Sequence, residues 1–314
     1  MTDSRPRTLM TVHAHPDDET IGTGGLMAKS VAAGHRVILV TCTRGELGDI
    51  VVEDMNTPEN HRRLGEIRAA ELEAAMGELG VTEWENLGYR DSDMMGRAGN
   101  RDPRCFWQAD LDEAARRLTW LVRQHRPDVM TTYNDFGGYG HPDHIRTHEV
   151  GVRAFDRAGD PAWYMEQLAP EHGGFGPAAA DGGLAPWTPL KLYEQAIPAS
   201  VRNALRDRME AAGEKSFWTE PEDASPEELA GWHEQMARML VPDESITTWI
   251  DITDVLDRKW AAIWRHVSQM SPNSMFLRFG QDAWREYWGR EAYILRESRL
   301  PPTTPETDVF AGLG

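Results

Sequence analysis

The seven residues His13-Ala14-His15-Pro16-Asp17-Asp18-Glu19 put two imidazoles and three carboxylates directly after the apolar run Leu9-Met10-Thr11-Val12. A second cluster, His141-Pro142-Asp143-His144, follows another strand-like run, Val129-Met130-Thr131-Thr132-Tyr133. Ionisable groups this dense are costly to bury in a core, so each run has to hand its cluster to a loop. Two such clusters at the ends of two strands predict one divalent metal held between two loops, and hence a metal-dependent hydrolase.

The pattern around them is that of an α/β chain. Thr8 to His13 reads as a buried strand, Ile21 to Ala33 as a helix closed by Gly34, and Arg36 to Cys42 as a second strand. Glu59 to Leu79 carries apolar residues at helical spacing and stops at Gly80; a short strand follows over Thr82 to Leu87. Ala109 to His125 is a helix, Pro127 to Tyr133 a strand, and Pro142 to Ala158 a helix opening on proline at its first turn. Strands separated by helices of this length imply right-handed parallel units and a Rossmann-like, doubly wound, mostly parallel sheet. Ligands of such sheets bind beyond the carboxyl ends of the strands, where both clusters fall.

The second half is less regular. Residues 159–187 are rich in Gly, Pro and Ala and read as a loop. Lys191 to Ala196 and Ile246 to Ile252 are strand candidates, Val255 to Met270 is a helix candidate, and Ser225-Pro226-Glu227-Glu228 has the form of a helix start. Most tryptophans lie in this half, as core or pocket wall. The expected organisation is a catalytic core over 1–160 with an elaborated C-terminal part, 161–314, completing the same domain.

Lys and Arg total 33 against 51 Asp and Glu, a formal net charge of -18. That field opposes phosphate backbones and anionic lipid surfaces, so neither nucleic acid nor membrane is expected as a partner. The two cysteines, Cys42 and Cys105, form no metal-binding spacing, and Cys42 reads as a buried thiol. The N-terminus has basic residues but no apolar signal segment after them, so a soluble cytoplasmic protein is expected. Its expected partner is a small molecule; a homo-oligomer is compatible with the sequence.

The spacing His15-x-x-Asp18 lets a tight loop turn an imidazole and a carboxylate to one point, and His144 completes a His2Asp set. Three protein ligands with an open position suit a catalytic zinc ion; Fe, Co or Mn would also fit. Asp17 is left beside the metal as a general base. His141 could face the substrate oxygen, and Asp143 could hydrogen-bond an imidazole and fix its tautomer. His13 reads as a strand-end residue packed behind the loop. Either cluster alone could be a helix cap; two at strand ends argue against that. There is no GxSxG elbow, no GxxxxGK[ST] phosphate loop, no dinucleotide fingerprint and no HExxH.

The paired HPDDE and HPDH motifs resemble those of the LmbE-like (PIG-L) zinc deacetylase family. The likeness extends through Thr41-Cys42-Thr43-Arg44-Gly45-Glu46, Arg68-x-x-Glu71, Arg90-Asp91-Ser92, Gly137-Gly138-Tyr139-Gly140 and the C-terminal Glu306-Thr307-Asp308-Val309-Phe310-Ala311-Gly312-Leu313. Residues 160–240 match only loosely. The pattern is most similar to the mycothiol branch, which holds the acetylglucosaminyl-inositol deacetylase and the mycothiol S-conjugate amidase. Gln269-Met270-Ser271-Pro272-Asn273 and the terminal motif lean toward the amidase.

The resemblance implies a metal on His15, Asp18 and His144, with Asp17 as the base that later protonates the leaving amine. It implies oxyanion stabilisation by His141, oriented by Asp143, and help from Tyr139 on a mobile loop. Arg68 and Asp91 would contact sugar or inositol hydroxyls, and Glu46 joins them as a substrate-binding candidate. Bland readings remain at two positions: Arg68 as a surface residue paired with Glu71, and Asp91 as a loop cap. The expected function is removal of an N-acyl group from a glucosamine-containing small molecule in mycothiol metabolism. The alternatives are deacylation of an amino sugar in a natural-product pathway, and a metal-binding protein without turnover.

Overall fold

The computed structural model describes residues 5–168, 184–213, 218–274, 277–301 and 305–314. In chain order the elements are β1 (Thr8–His13), α1 (Asp18–Gly22), α2 (Gly24–Ala32), β2 (Arg36–Thr41), α3 (Pro58–Arg62), α4 (Leu64–Leu79) and β3 (Glu83–Asn86). Then come α5 (Leu111–His125), β4 (Val129–Thr132), α6 (Gly137–Gly140), α7 (Pro142–Arg157), β5 (Lys191–Gln195) and the two-residue β6 (Ile197–Pro198). The remainder is α8 (Ala199–Ala211), α9 (Pro226–Met239), β7 (Leu240–Val241), β8 (Thr248–Asp251), α10 (Leu256–Ile263), α11 (Gly280–Trp288) and β9 (Arg290–Ser298).

A seven-stranded sheet runs β3-β2-β1-β4-β5-β9-β8, with β6 and β7 forming a small separate pair. Strands β1 to β5 are parallel, whereas β9 is antiparallel to both β5 and β8. The fold is thus the α/β, mostly parallel sheet expected. From β1 the chain first winds outward to β3, then crosses back so that β4 pairs with β1 on its other side. That reversal makes the β1/β4 boundary the switch point, where the diverging loops leave a crevice.

Both faces of the parallel strands are apolar, because each is covered by helices. Leu9, Val37, Leu39 and Val129 pack with α2, α4 and α10 on one face. Their neighbours Met10, Ile38, Val40 and Met130 pack with α5 and α7 on the other. This alternation of side follows from the two-residue period of a strand.

Three expected helices differ in extent. The one placed over Ile21 to Ala33 starts earlier and is split at Thr23, whose hydroxyl bonds both the Glu19 carbonyl and His13 Nε2. The one over Glu59 to Leu79 is split at Arg63, and Thr57 caps its first piece. The one over Val255 to Met270 ends at Ile263, after which the chain turns and presents His266 inward. Strand β9 and helices α8 and α11 had no sequence counterpart. The Gly/Pro/Ala-rich loop falls largely on 169–183, outside the described residues. Among the described residues no helix is long and apolar enough to cross a membrane.

Buried ion pairs tie the C-terminal residues into the rest of the fold. Lys191 Nζ meets Glu306 Oε1 at 2.6 Å with both side chains 1% exposed, and Tyr193 donates its hydroxyl to Glu306 Oε2. Val309 and Phe310 are buried in the same core. The terminal motif is therefore a structural staple. A second pair joins His266 Nε2 to Glu19 Oε1 at 2.8 Å, both side chains fully buried.

Truncating one member of such a pair strands the other charge. Glu306→Ala is expected to lower the unfolding free energy by about 3–5 kcal/mol in denaturant titration. A loss under ~1 kcal/mol would show that the pair is not structural. Burial alone would lower the His266 pKa, but the Glu19 carboxylate outweighs it and raises it above 6.5. A raised histidine contributes in full below its unfolded pKa, and the contribution fades as pH climbs through the folded value. The stability gap between wild type and His266→Gln should therefore be widest below pH 6.5 and narrow at alkaline pH; a gap flat with pH would refute the charged pair.

Candidate metal and catalytic centre

β1 ends at His13 and the next six residues turn at the sheet's carboxyl edge. His15, Asp17 and Asp18 come from this turn; His141, Asp143 and His144 come from the start of α7, just past β4. The switch point thus brings both clusters to one spot. Gly137, at φ +65°, lets the intervening loop lie on α7, since a Cβ there would stand 2.6 Å from His144 Cβ.

The expected ligands converge on one oxygen. Asp18 Oδ2 is 3.3 Å from His15 Nδ1 and 3.3 Å from His144 Nε2. Tetrahedral bonds of zinc length set ligand atoms about 3.3–3.5 Å apart, so these separations fit an ion. His144 is 2% exposed, yet neither of its ring nitrogens has a hydrogen-bond partner among the described residues. A buried imidazole left this way is what a missing cation would satisfy. Ligand atoms of His15, His141 and His144 also lie within 4.8 Å of one another. The residues present therefore fit a divalent ion, with His15, Asp18 and His144 as its nearest donors.

Electrostatics favour the same set. Burial would raise the Asp18 carboxyl, but His144 and His15 outweigh it and hold it well below the usual carboxylate range. Burial would lower His15, but Asp143 and Asp18 outweigh it and raise its pKa. His15 Nε2 lies 3.1 Å from Asp143 Oδ2, leaving Nδ1 toward Asp18. Asp143 is itself fixed by the amide and hydroxyl of Ser92.

This revises one expectation. The Asp143 carboxylate orients His15, and it is the Asp143 backbone N–H that donates to His141 Nδ1 at 3.1 Å. Burial, and then His15 and His144, push His141 far down, so it is a neutral ring. With Nδ1 accepting, its proton sits on Nε2.

Asp17 has φ 121°, a strained value for a residue with a side chain. Three contacts hold it: Glu19 Oε2 accepts its N–H at 2.8 Å, Arg68 Nη2 reaches its Oδ1 at 2.9 Å, and Arg68 also bonds the Pro16 carbonyl. Burial raises its carboxyl to about 6, against the opposing pull of Arg68.

Arg68 is therefore no surface partner of Glu71, which instead accepts from the amide and hydroxyl of Ser268. Its two terminal nitrogens are spent on Gly45, Pro16 and Asp17, although it also lines the cavity. Asp91 lines the cavity too, but its carboxylate accepts the amides of Leu47 and Asp93, the geometry of a loop cap. Glu46 is not in the cavity wall and accepts the Asp91 amide from behind. Tyr139 is at the mouth, 36% exposed, with its ring 4.9 Å from that of His144. His13 packs behind the loop against Thr23 and Tyr133, and burial lowers its pKa to about 4.

Four supporting residues escaped the sequence. Ser92 holds Asp143, Glu19 and His266 brace Asp17, and Tyr133 stacks on His144 at 4.2 Å. Glu19 and Ser92 stand inside the quoted motifs, a usable signal; His266 has none.

Comparison with known proteins agrees with the motifs. Residues 10–155 match the family model described as PIG-L, GlcNAc-PI de-N-acetylase. A protein of Geodermatophilus obscurus named 1D-myo-inositol 2-acetamido-2-deoxy-alpha-D-glucopyranoside deacetylase is 40% identical, over 100% of this chain and 99% of its own. A protein of the same name from Acidothermus cellulolyticus is 39% identical, over 98% and 95%. Among solved structures, N,N'-diacetylchitobiose deacetylase from Pyrococcus horikoshii shares the fold with a TM-score of 0.58 at 21% identity, covering 91% of this chain and 82% of its own. With the HPDDE and HPDH clusters meeting at the switch point and full-length relatives at this identity, the chain belongs to the PIG-L (LmbE-like) de-N-acetylase family.

Proposed function

We propose that this protein is a metal-dependent deacetylase that hydrolyses the N-acetyl group of a glucosaminyl-inositol, the substrate in the names of its full-length relatives. The observation that carries this reading is the Asp18 oxygen shared by His15 and His144, with Asp17 free of that contact and tied to Arg68 alongside. The chemistry is amide hydrolysis: water adds to the acyl carbon, the C–N bond breaks, and the amine leaves with a proton, giving acetate and free amine.

A divalent ion on His15, Asp18 and His144, with zinc the first choice for such donors, supplies Lewis-acid polarisation of the carbonyl and acidifies the attacking water. The protein does the rest. Asp17 Oδ takes a proton from the water and returns it to the leaving nitrogen, a task suited to a carboxyl raised toward neutrality. His141 Nε2–H donates to the developing oxyanion, and Tyr139 closes over the same side. Arg68 keeps Asp17 aimed, and with Asp91 faces the sugar-binding side of the cavity. In this reading residues 161–314 complete the catalytic domain of 1–160 through β5, β8 and β9 and the far cavity wall.

Amine release from acetylglucosaminyl-inositol tests the assignment. Asp17→Ala should retain metal and lose about 10²- to 10⁴-fold in kcat. His144→Ala should lose the metal itself, read by elemental analysis, and chelation of the wild type should abolish turnover until zinc is restored. Wild-type turnover by metal-loaded Asp17→Ala would exclude Asp17 as the base.

A further inference from the structure

The cavity at the switch point measures about 600 Å³, far more than an acetamide needs beside a sugar. Its two ends differ in chemistry, and the strand order says where each lies. Loops after β2 and β3 form one end with Asp49, Asp91, Asp93 and Arg97, together with Arg68 of α4. The other end lies beyond β5 and the start of β9, on the opposite side of the β1/β4 boundary. It is walled by Ile197, Val201, Trp218, Met239, Tyr287 and Trp288. These walls, Val201 aside, belong to an apolar cluster apart from the two sheet cores, with Leu205, Trp218, Met236 and Met239 buried at its centre. The metal and catalytic centre sits between the two ends.

Charge in the apolar arm is largely self-compensated. Lys259 Nζ meets Glu291 Oε1 at 2.6 Å, and the Glu291 carboxylate also accepts the amides of Gly25 and Leu26. Three groups are left over, Arg290 among them, its guanidinium lying over the Trp249 ring. Gln195 Nε2 is buried without a hydrogen-bond partner among the described residues, and Arg202 has no ion pair among them.

A hydroxyl-rich sugar and inositol suit the charged end. The scissile carbonyl then lies at the centre, so what continues into the apolar arm is the acyl substituent. Resting on the deacetylase reading above, we propose that this arm is an acyl-binding site for uncharged apolar N-acyl groups longer than acetyl, straight-chain or arylalkyl. Aromatic and aliphatic walls of this kind bind by removing methylenes from water, each worth roughly three- to fourfold in affinity. Gln195 supplies one donor at the neck between arm and centre.

The test is amine release by the full-length, zinc-loaded protein from glucosaminyl-inositol carrying N-acetyl, N-butanoyl, N-hexanoyl, N-phenylacetyl or N-succinyl groups. The expected result is a kcat/KM for hexanoyl and phenylacetyl roughly tenfold or more above acetyl, expressed mainly in KM. Val201→Trp, which fills the arm, should cut the hexanoyl-to-acetyl ratio by roughly tenfold; Met239→Trp serves if that variant does not fold. Acetyl turnover with rejection of the longer chains overturns the acyl site and leaves the deacetylase reading intact. A preference for succinyl, read through Arg202, overturns the apolar occupant. No turnover of any member with one equivalent of zinc bound overturns both.

Discussion

The centre of this protein depends on burying carboxylates without leaving them unpaired. Asp91 and Asp143 are buried, and Asp17 and Asp18 half-buried, at the carboxyl ends of the strands. Each such group costs several kcal/mol unless something compensates it. Arg68 answers Asp17, His15 answers Asp143, and backbone amides answer Asp91. Asp18 is left between two imidazoles, one of which has no hydrogen bond at either nitrogen among the described residues. A divalent cation would compensate this arrangement. The chain's net charge of -18 thus says little about a site whose donors fit a cation.

The same constraint explains why the C-terminal half is needed by residues near the N-terminus. Asp17 occupies a backbone conformation that relaxes unless held. Its amide is fixed by Glu19, and Glu19 by His266, more than 240 positions away along the chain. Glu71 fixes Ser268 two residues further on, so the turn after α10 is clamped to α4, the helix that carries Arg68. Asp17, its brace and Arg68 are one connected frame. The antiparallel strand β9 contributes Glu291, which caps the start of α2 and pairs with Lys259.

What the sequence made legible follows the range of the interactions. Strands β1, β2 and β4 were readable because burial on both faces makes each a continuous apolar run. The candidate metal set was readable because each half of it is local, and the β1/β4 boundary joins the halves. Breaks at Thr23 and Arg63 were not, since the apolar spacing continues across both. Strand β9 hid because Arg290-Glu291-Ala292-Tyr293 carries a buried carboxylate where a strand pattern calls for an apolar residue. Glu291 is tolerated there through Tyr293 two residues on and, beyond any local window, through Lys259 and two amides. His266 escaped for the same reason. Arg68 was legible as special, but its charge is spent on the base rather than on solvent, and only distances could say so.

Asp143 shows how much chemistry one fully buried residue can set. Its carboxylate accepts from His15 Nε2, which leaves Nδ1 as the atom turned toward Asp18. Its backbone N–H donates to His141 Nδ1, which leaves Nε2 as the protonated atom. The two imidazoles, with centroids 4.6 Å apart, thereby share the Nε2–H tautomer but turn different atoms to the centre: His15 a lone pair, His141 a proton. A ligand and an oxyanion donor need that difference. Proline at position 142 makes the second bond available, because it opens α7 and leaves the Asp143 amide free to be capped by His141. On the function proposed above, the HPDH motif is a helix start whose capping side chain and first turn also serve catalysis.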